Sequence, residues 1–155
     1  GRAQVGHLEG DLITGAYNRS AIATIFDRAS RHVWLAGFAE DHGATATLAA
    51  LVEVMERIPE EHRQSLTWDQ GREMARHDVL TELCNVPVFF ADPHSPWQRP
   101  TNENGNGLLR RYVGKGTDLG IYTTEDLRAI ERRLNTMPRR ILGWQTAEEV
   151  YTAMT

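Results

Sequence analysis

Three short segments near the start of the chain have the apolar, β-branched composition of strands. They are His7 to Ile13, Ala21 to Asp27 and His32 to Phe38. Only residues 28–31 separate the second segment from the third, which predicts an antiparallel hairpin. The pattern then changes at Thr45 to Arg57, where apolar residues recur at helical spacing until a proline ends the run. Three strands followed by an amphipathic helix therefore open the chain.

Two more strands and three more helices are predicted in the rest of the chain. Leu66 to Asp69 and Val86 to Phe90 are short strand segments, and the apolar spacing between them predicts a second helix over Met74 to Leu83. This order of elements predicts a mixed α/β fold, with an antiparallel opening and five strands flanked by helices. Two capping boxes begin the last two helices: Thr123 with Asp126, and Thr146 with Glu149.

The third predicted helix contains glycine in its interior. It begins near Thr101 or Asn102 and runs through Tyr112. Gly105 and Gly107 each cost such a helix about 1 kcal/mol relative to alanine. A helix that keeps glycine in spite of this cost predicts close approach by another backbone.

Length and composition are those of one compact domain. A chain of 155 residues is near the modal domain size, and its longest apolar runs fall far short of the ~20 residues of a membrane span. The first residues lack the pattern of a signal peptide, and the single Cys84 cannot form an internal disulfide. We therefore expect one domain over residues 1–155, in a reducing cytoplasm and without a membrane partner.

Charge is unevenly distributed along the chain. The net charge is −4, but residues 99–140 hold nine Arg or Lys against five acids. A basic flank beside an acidic site would suit phosphate-backbone binding by a metal-dependent enzyme. For the cluster from Arg128 to Arg133, a solvated helix face is the alternative.

Three acids stand where a strand ends or a loop becomes a helix: Asp11, Asp69 and Glu103. Phosphoryl transfer at DNA can use two divalent ions about 4 Å apart, and Mg²⁺ is held by a few carboxylates while it keeps several waters. Two Asp and one Glu brought together would therefore suffice. The spacing alone is weak evidence, because a chain with 21 acids contains many triples. Each acid could instead form a turn or favour a helix N-terminus.

Six blocks, in the same order and over nearly the whole chain, closely resemble transposases of the insertion sequence 30 family. This family belongs to the DDE transposases and retroviral-type integrases. The blocks are GHLEGDLI, TWDQGREMARH, FADPHSPWQR, TNENGNGLLR, KGTDL and LNTMPRRILGWQTAEEVY.

The resemblance implies an RNase H-like core in which Asp11, Asp69 and Glu103 are both the catalytic residues and the metal ligands. The metal would be Mg²⁺ or Mn²⁺, with two ions in the active complex. Such enzymes hydrolyse a strand at the ends of a mobile element and use the freed 3′-hydroxyl to attack target DNA.

The resemblance also implies partners and a place in a longer protein. The partners are double-stranded DNA, as element terminal inverted repeats and as target, and further copies of the protein bound to that DNA. Family members are longer and carry an N-terminal helix-turn-helix region. The chain is therefore expected to be a catalytic core fragment without sequence-specific end recognition, from a bacterial, nucleoid-associated protein of the cytoplasm.

Several residues around Glu103 are candidate DNA ligands, each with a structural alternative. Trp97, in the proline-rich loop Asp92 to Pro100, could stack on bases or anchor its loop on the core. His77 and His94 could move a proton or be structural, and Glu73 could add charge to the metal site or pair with Arg76. The candidate DNA-binding residues are Trp97, Arg99, Asn102, Asn106, Arg110, Arg111 and Lys115.

The chain departs from the family pattern at three positions. Pro100 stands where glycine is usual, Gly114 where proline is usual, and Gly105 where threonine is usual. These changes put the flexibility of the loop before Glu103 in question.

The sequence leaves three alternatives to a transposase catalytic core: a metal-dependent nuclease without strand transfer, an inactive DNA-binding or dimerisation module, and a two-carboxylate glycosidase. The basic flank and the lack of an aromatic-rich groove argue against the glycosidase.

Overall fold

A computed structural model describes residues 4–38, 41–92 and 100–155, and in these ranges a five-stranded sheet has helices on both faces. The strands are β1 (His7–Thr14), β2 (Ala21–Asp27), β3 (Val33–Gly37), β4 (Ser65–Trp68) and β5 (Val88–Phe90). The helices are α1 (Ala44–Glu56), α2 (His77–Cys84), α3 (Pro100–Leu109), α4 (Thr124–Asn135) and α5 (Ala147–Met154).

The sheet is mixed, with the strand order β3-β2-β1-β4-β5. β1, β2 and β3 pair antiparallel, because short turns join them, whereas β4 and β5 run parallel to β1 after the helical crossovers α1 and α2. The predicted mixed five-stranded sheet with an antiparallel opening is confirmed.

Side chains alternate between the two faces of the sheet, and each face has its own core. The first core lies under α1 and α2 and includes Leu8, Ile25 and Trp68. Gly10 belongs to this face, where a Cβ would lie 2.4 Å from Cζ3 of Trp68, so only glycine lets the indole lie across β1.

The second core lies under α3 and α4 and includes Ile13 and Phe26 from the sheet. Because strand residues two apart share a face, Glu9 and Asp11 project to the same side as Ile13. The acids of β1 therefore lie on the face that α3 covers.

Both predicted capping boxes are confirmed. In each, the threonine hydroxyl accepts a hydrogen bond from the backbone N–H three residues later, and the acid at that position accepts one from the threonine N–H. These bonds satisfy N–H groups that have no partner within the helix. None of the helices in the described ranges has the length and apolar character of a membrane span.

Three details of the predicted elements differ from the structure. Met74 lies in a separate short turn, so α2 begins only at His77. α3 ends at Leu109 rather than Tyr112. The close approach predicted at Gly105 is made by the Phe26 ring rather than by a backbone, since a Cβ there would lie 2.2 Å from Cε1 of Phe26. Gly107 has nothing within 4 Å of such a Cβ, so packing does not require that glycine.

Candidate active site

Asp11 lies in the middle of β1 and is tied to α3. Its Oδ1 accepts a hydrogen bond from Leu12 N at 2.8 Å, and its Oδ2 accepts one from Nδ2 of Asn106 at 3.3 Å. The side chain is partly exposed. It therefore combines a fixed orientation with access to solvent.

Asp69 follows β4 directly, one position beyond the residue that pairs with β1. The parallel register joins Gly10 to Trp68, so Asp11 and Asp69 are the next positions along two neighbouring strands. Adjacent strands lie about 4.8 Å apart. Asp69 is exposed, and its Oδ1 accepts a hydrogen bond from Gln70 N at 2.8 Å.

Glu103 lies in the first turn of α3, and its side chain is exposed. A carboxylate at this position is stabilised by the helix dipole. The structure places it on the helix that covers Asp11. Across residues 4–38, 41–92 and 100–155, however, no three His, Cys, Asp or Glu side chains form a group that could hold a metal ion. The assignment of the three acids as metal ligands stays a prediction.

A chain of two hydrogen-bonded asparagines, Asn102 and Asn106, links α3 to the sheet. Asn102 is fully buried, and its Nδ2 lies 3.5 Å from Glu9 O and 3.4 Å from Thr24 Oγ1. Its Oδ1 accepts a hydrogen bond from Nδ2 of Asn106 at 3.3 Å, and Asn106 in turn reaches Asp11. A DNA contact by Asn102 would therefore require α3 to leave the sheet.

Glu9 is a buried acid beside this chain, and the sequence analysis missed it. Its Oε1 lies 3.5 Å from Asn102 N, and its Oε2 lies 3.3 Å from Nε of Arg28. Burying a carboxylate is costly unless it is paired, and the guanidinium and the helix N–H compensate the charge. Its position two residues before Asp11 in a strand was the available signal, because it places both acids on one face.

Asn106 supplies the test of whether the site suits a hard cation. Its Oδ1 is buried and has no hydrogen-bond partner among the described residues. A buried carbonyl oxygen left without a donor needs water or a cation as its partner. The atoms here that could bind a cation are carboxylate and amide oxygens. Oxygen is the ligand atom that Mg²⁺ and Mn²⁺ prefer. The kinds of residue present are therefore those that the implied metal would take, while the assignment of the individual ligands stays a prediction.

The basic candidates differ in their surroundings. Arg110 donates from Nη2 to Thr14 O at 2.9 Å, so its guanidinium is held at the end of β1. Arg111 and Lys115 are exposed. Trp97 and Arg99 lie outside the described residues, so the predictions for them stay as they were.

Other candidates around the site have structural surroundings. The His77 ring packs edge-on against Phe90 at a centroid distance of 5.0 Å, whereas His94 lies outside the described residues. Oε1 of Glu73 accepts a hydrogen bond from Nε1 of Trp68 at 3.3 Å, instead of the predicted pairing with Arg76. Glu73 thus helps to fix the indole beneath the site.

The basic cluster of α4 is in part structural. Arg128 donates to Leu35 O at 3.0 Å and pairs with Glu131 at 3.3 Å and with Glu53 at 2.6 Å. The guanidinium of Arg133 lies over the Tyr112 ring. Arg128 therefore helps to hold α4 against β3, and the alternative of a solvated helix face does not describe it.

Comparison with known proteins places the chain among transposases. No family model matches it. It is 49% identical over 149 residues to the transposase for insertion sequence element IS1086 of Cupriavidus metallidurans, with 96% of this chain and 44% of that protein covered. It is 44% identical over 149 residues to transposase InsI for element IS30A of Escherichia coli, with 96% and 38% covered. With the transposase for IS4351 of Bacteroides fragilis, the identity is 35% over 153 residues, and 97% and 45% are covered.

Two solved structures with a similar fold are retroviral. A chain of the simian T-cell lymphotropic virus intasome in complex with PP2A regulatory subunit B56 gamma superposes with a TM-score of 0.74 at 13% identity, covering 97% of this chain and 55% of that one. The catalytic core domain of BIV integrase superposes with a TM-score of 0.70 at 17% identity, covering 96% and 94%. At these identities the likeness concerns the fold.

These comparisons agree on both family and fold. The chain spans less than half the length of the curated relatives it matches. The fold matches an integrase catalytic core over almost its full length. Over the segment that it spans, the chain is similar in sequence to transposases of the insertion sequence 30 family and has the RNase H-like fold of the integrase catalytic core.

Proposed function

We propose that the chain is the catalytic core of a DDE-type DNA transposase, a polynucleotidyl transferase that depends on divalent metal. It would cleave a DNA strand at the element ends and join the freed 3′-hydroxyl to target DNA. The observation that carries this proposal is the placement of Asp11 and Asp69 at the next register positions of two parallel strands, under the helix that bears Glu103. The relatives, which are named as transposases of insertion sequence elements, support it.

Asp11, Asp69 and Glu103 are the residues that would hold Mg²⁺ or Mn²⁺. Two such ions, when bound, supply an activated nucleophilic oxygen and neutralise the leaving oxygen. The protein's own contribution is to orient the carboxylates: Asn106 holds Asp11, and the asparagine chain fixes α3 on the sheet. Because the described residues contain no ready group of three ligands, we propose that metal and DNA together complete the site.

The partners of this reaction would be the terminal inverted repeats of the element and the target DNA, both double-stranded. Arg111 and Lys115 are exposed cations near the carboxyl end of β1 and are available for phosphates. We propose that sequence-specific recognition of the ends resides in another region of the longer protein. Since two element ends must react together, we expect copies of the protein to associate on DNA, in the bacterial cytoplasm.

The test begins with a calorimetric Mn²⁺ titration of the chain and of Asp69→Asn, both with and without DNA. We expect binding that the variant loses. Glu148→Gln is the matched control, because Glu148 is an exposed acid on α5 outside the site, and it should bind as the parent does. Equal binding by the parent and Asp69→Asn would contradict the metal assignment.

The second step separates strand transfer from hydrolysis. A duplex with a pre-formed 3′-hydroxyl end is incubated with Mn²⁺ and a labelled target. Joined products support the transposase proposal. Metal-dependent cleavage without joining would instead identify a nuclease, and no reaction in the presence of bound metal would favour an inactive module.

A further inference from the structure

The turn between β1 and β2, residues 15–20, presents an aromatic ring and a guanidinium to solvent. Tyr17 is 88% exposed. The guanidinium carbon of Arg19 lies 5.4 Å from the centroid of the Tyr17 ring, within cation–π range. An aromatic ring this exposed gains little from protein packing, so stability does not explain it.

The backbone of this turn is held in an unfavourable conformation. Tyr17 has φ 56° and Asn18 has φ 58°, the left-handed region in which a side chain is disfavoured. Contacts on both sides maintain it: Ala16 N donates to Thr117 O at 2.8 Å, and Nε2 of His42 lies 2.8 Å from Asn18 O. Such strain persists only where the surrounding contacts hold it in place. The turn is therefore a fixed platform that presents Tyr17.

The platform lies at the same end of the sheet as the proposed active site. β1 ends at Thr14, three residues after Asp11, and the turn follows directly. Arg110 is held at that strand end through its bond to Thr14 O, and exposed Lys115 lies two residues before Thr117, which contacts the turn. Arg110 and Lys115 therefore belong to segments that contact the end of β1 and the turn.

We propose that the turn 15–20 is a DNA-contact surface, in which Tyr17 stacks on an unpaired base beside the strand break and Arg19 binds a backbone phosphate. This proposal rests on the proposed function. Stacking on an aromatic ring tolerates any base, because every base has a π face. Cations release counterions from phosphates irrespective of sequence. The surface would therefore hold DNA without reading its sequence.

The test is fluorescence anisotropy without metal, with one labelled duplex that is blunt and one that carries a three-nucleotide single-stranded overhang. We expect Tyr17→Ala to weaken binding of the overhang duplex roughly tenfold and to leave the blunt duplex within twofold. Tyr17→Phe keeps the ring and should bind as the parent does. Arg19→Ala should weaken both duplexes and lower the salt slope by about 1.

Glycine variants separate binding from stability. Tyr17→Gly removes the ring and relieves the left-handed strain, so we expect a melting temperature a few degrees higher together with the binding loss of Tyr17→Ala. Trp144 is the matched control, because it is 67% exposed and has φ 70°. It lies in the segment between α4 and α5, outside the turn 15–20. Trp144→Gly should show the same thermal gain without the binding loss.

Two results would overturn this assignment. One is unchanged overhang binding by Tyr17→Ala, and the other is an equal loss in Trp144→Gly. Failure of the proposed catalytic function would give a different result. In that case Asp69→Asn would bind Mn²⁺ as the parent does, while the effects of the Tyr17 and Arg19 variants on metal-free DNA binding would remain.

Discussion

Asn106 donates a hydrogen bond from Nδ2 to Oδ2 of Asp11 at 3.3 Å, which joins α3 to the central strand of the sheet. The two residues are 95 positions apart in the chain. Glu103 lies three residues before Asn106 on the same helix. The bond therefore ties the first acid of the proposed site to the element that carries the third.

Removal of this amide should weaken metal binding. Loss of a group that orients a metal ligand typically costs 10–100-fold in metal affinity or activity, and we expect Asn106→Ala to lose at least tenfold in Mn²⁺ affinity. The bond to a carboxylate also contributes about 1.5–3 kcal/mol to folding, so urea unfolding should show a comparable loss. Asn104→Ala is the control, since Asn104 is exposed on the same helix. Equal affinities of the two variants would show that Asn106 has no positioning role.

The two glycines of α3 should respond to alanine in opposite directions. At Gly105 a Cβ would lie 2.2 Å from the Phe26 ring, so Gly105→Ala must displace the helix or the ring, which costs roughly 1–3 kcal/mol. At Gly107 the space is open, and Gly107→Ala should stabilise the protein by about 1 kcal/mol through helix propensity. Chemical unfolding of both variants checks this, and a stable Gly105→Ala would disprove the close packing.

The proposed carboxylates should be needed for activity but not for folding. We expect Asp11→Asn, Asp69→Asn and Glu103→Gln each to abolish metal-dependent strand cleavage. Neighbouring carboxylates repel, so the metal-free melting temperature of Asp69→Asn and Glu103→Gln should stay equal or rise slightly. Asp11→Asn loses one of the two acceptor oxygens of Asp11 and should melt at a somewhat lower temperature. The measurements are a cleavage assay and a thermal melt. Full activity in any of the three would remove that residue from the site, and a large loss of melting temperature would indicate a structural role.

His32 should make the fold sensitive to acid. Its ring packs 4.4 Å from that of Trp34 and 4.9 Å from that of Tyr151, and its Nδ1 is buried without a partner among the described residues. Burial, and then the positive charge of Arg57, lower the pKa of His32 from 6.5 to about 4. The folded protein keeps the ring neutral, whereas the unfolded chain takes up a proton below pH 6.5. Stability should therefore fall between about pH 6.5 and pH 4.

Replacing His32 with a ring that cannot titrate separates its contribution to the pH dependence of stability from that of other groups. His32→Phe keeps the packing and removes the proton site. The parent should lose about 2 kcal/mol more unfolding free energy than the variant between pH 7 and pH 5. Denaturant unfolding at the two pH values measures the difference. Parallel losses in the two proteins would show that His32 is not the group responsible.

Much of the fold could be predicted because local signals agree with the tertiary structure. The hairpin around residues 28–31 follows from two β-rich runs and a short loop, and the capping boxes at Thr123 and Thr146 depend on residues only three apart. Asp11 and Asp69 could be placed near each other because strand pairing follows from the order of elements. Each of these inferences needed short-range information or simple topology.

The contacts that could not be predicted are long-range and specific to side chains. No local pattern indicates that Gly105 makes room for Phe26, since that contact depends on the seating of α3. The burial of Asn102 and its approach to Glu9 depend on the same docking. Arg128 resembles a surface residue in sequence, and only the packing of α4 on β3 gives it Leu35 O as an acceptor.

The parallel pairing of β1 with β4 also determines the order in which the proposed site can form. β1, β2 and β3 are consecutive hairpins that can form from a short nascent chain, whereas the β1 and β4 pairing must wait for the α1 crossover. Glu103 is synthesised later still. A ribosome-bound or prematurely terminated copy that stops before α3 has two of the three proposed acids, and under the proposed function we expect it to be unable to cut DNA. We expect that, under the proposed function, only copies synthesised beyond α3 expose the cell's chromosome to this chemistry.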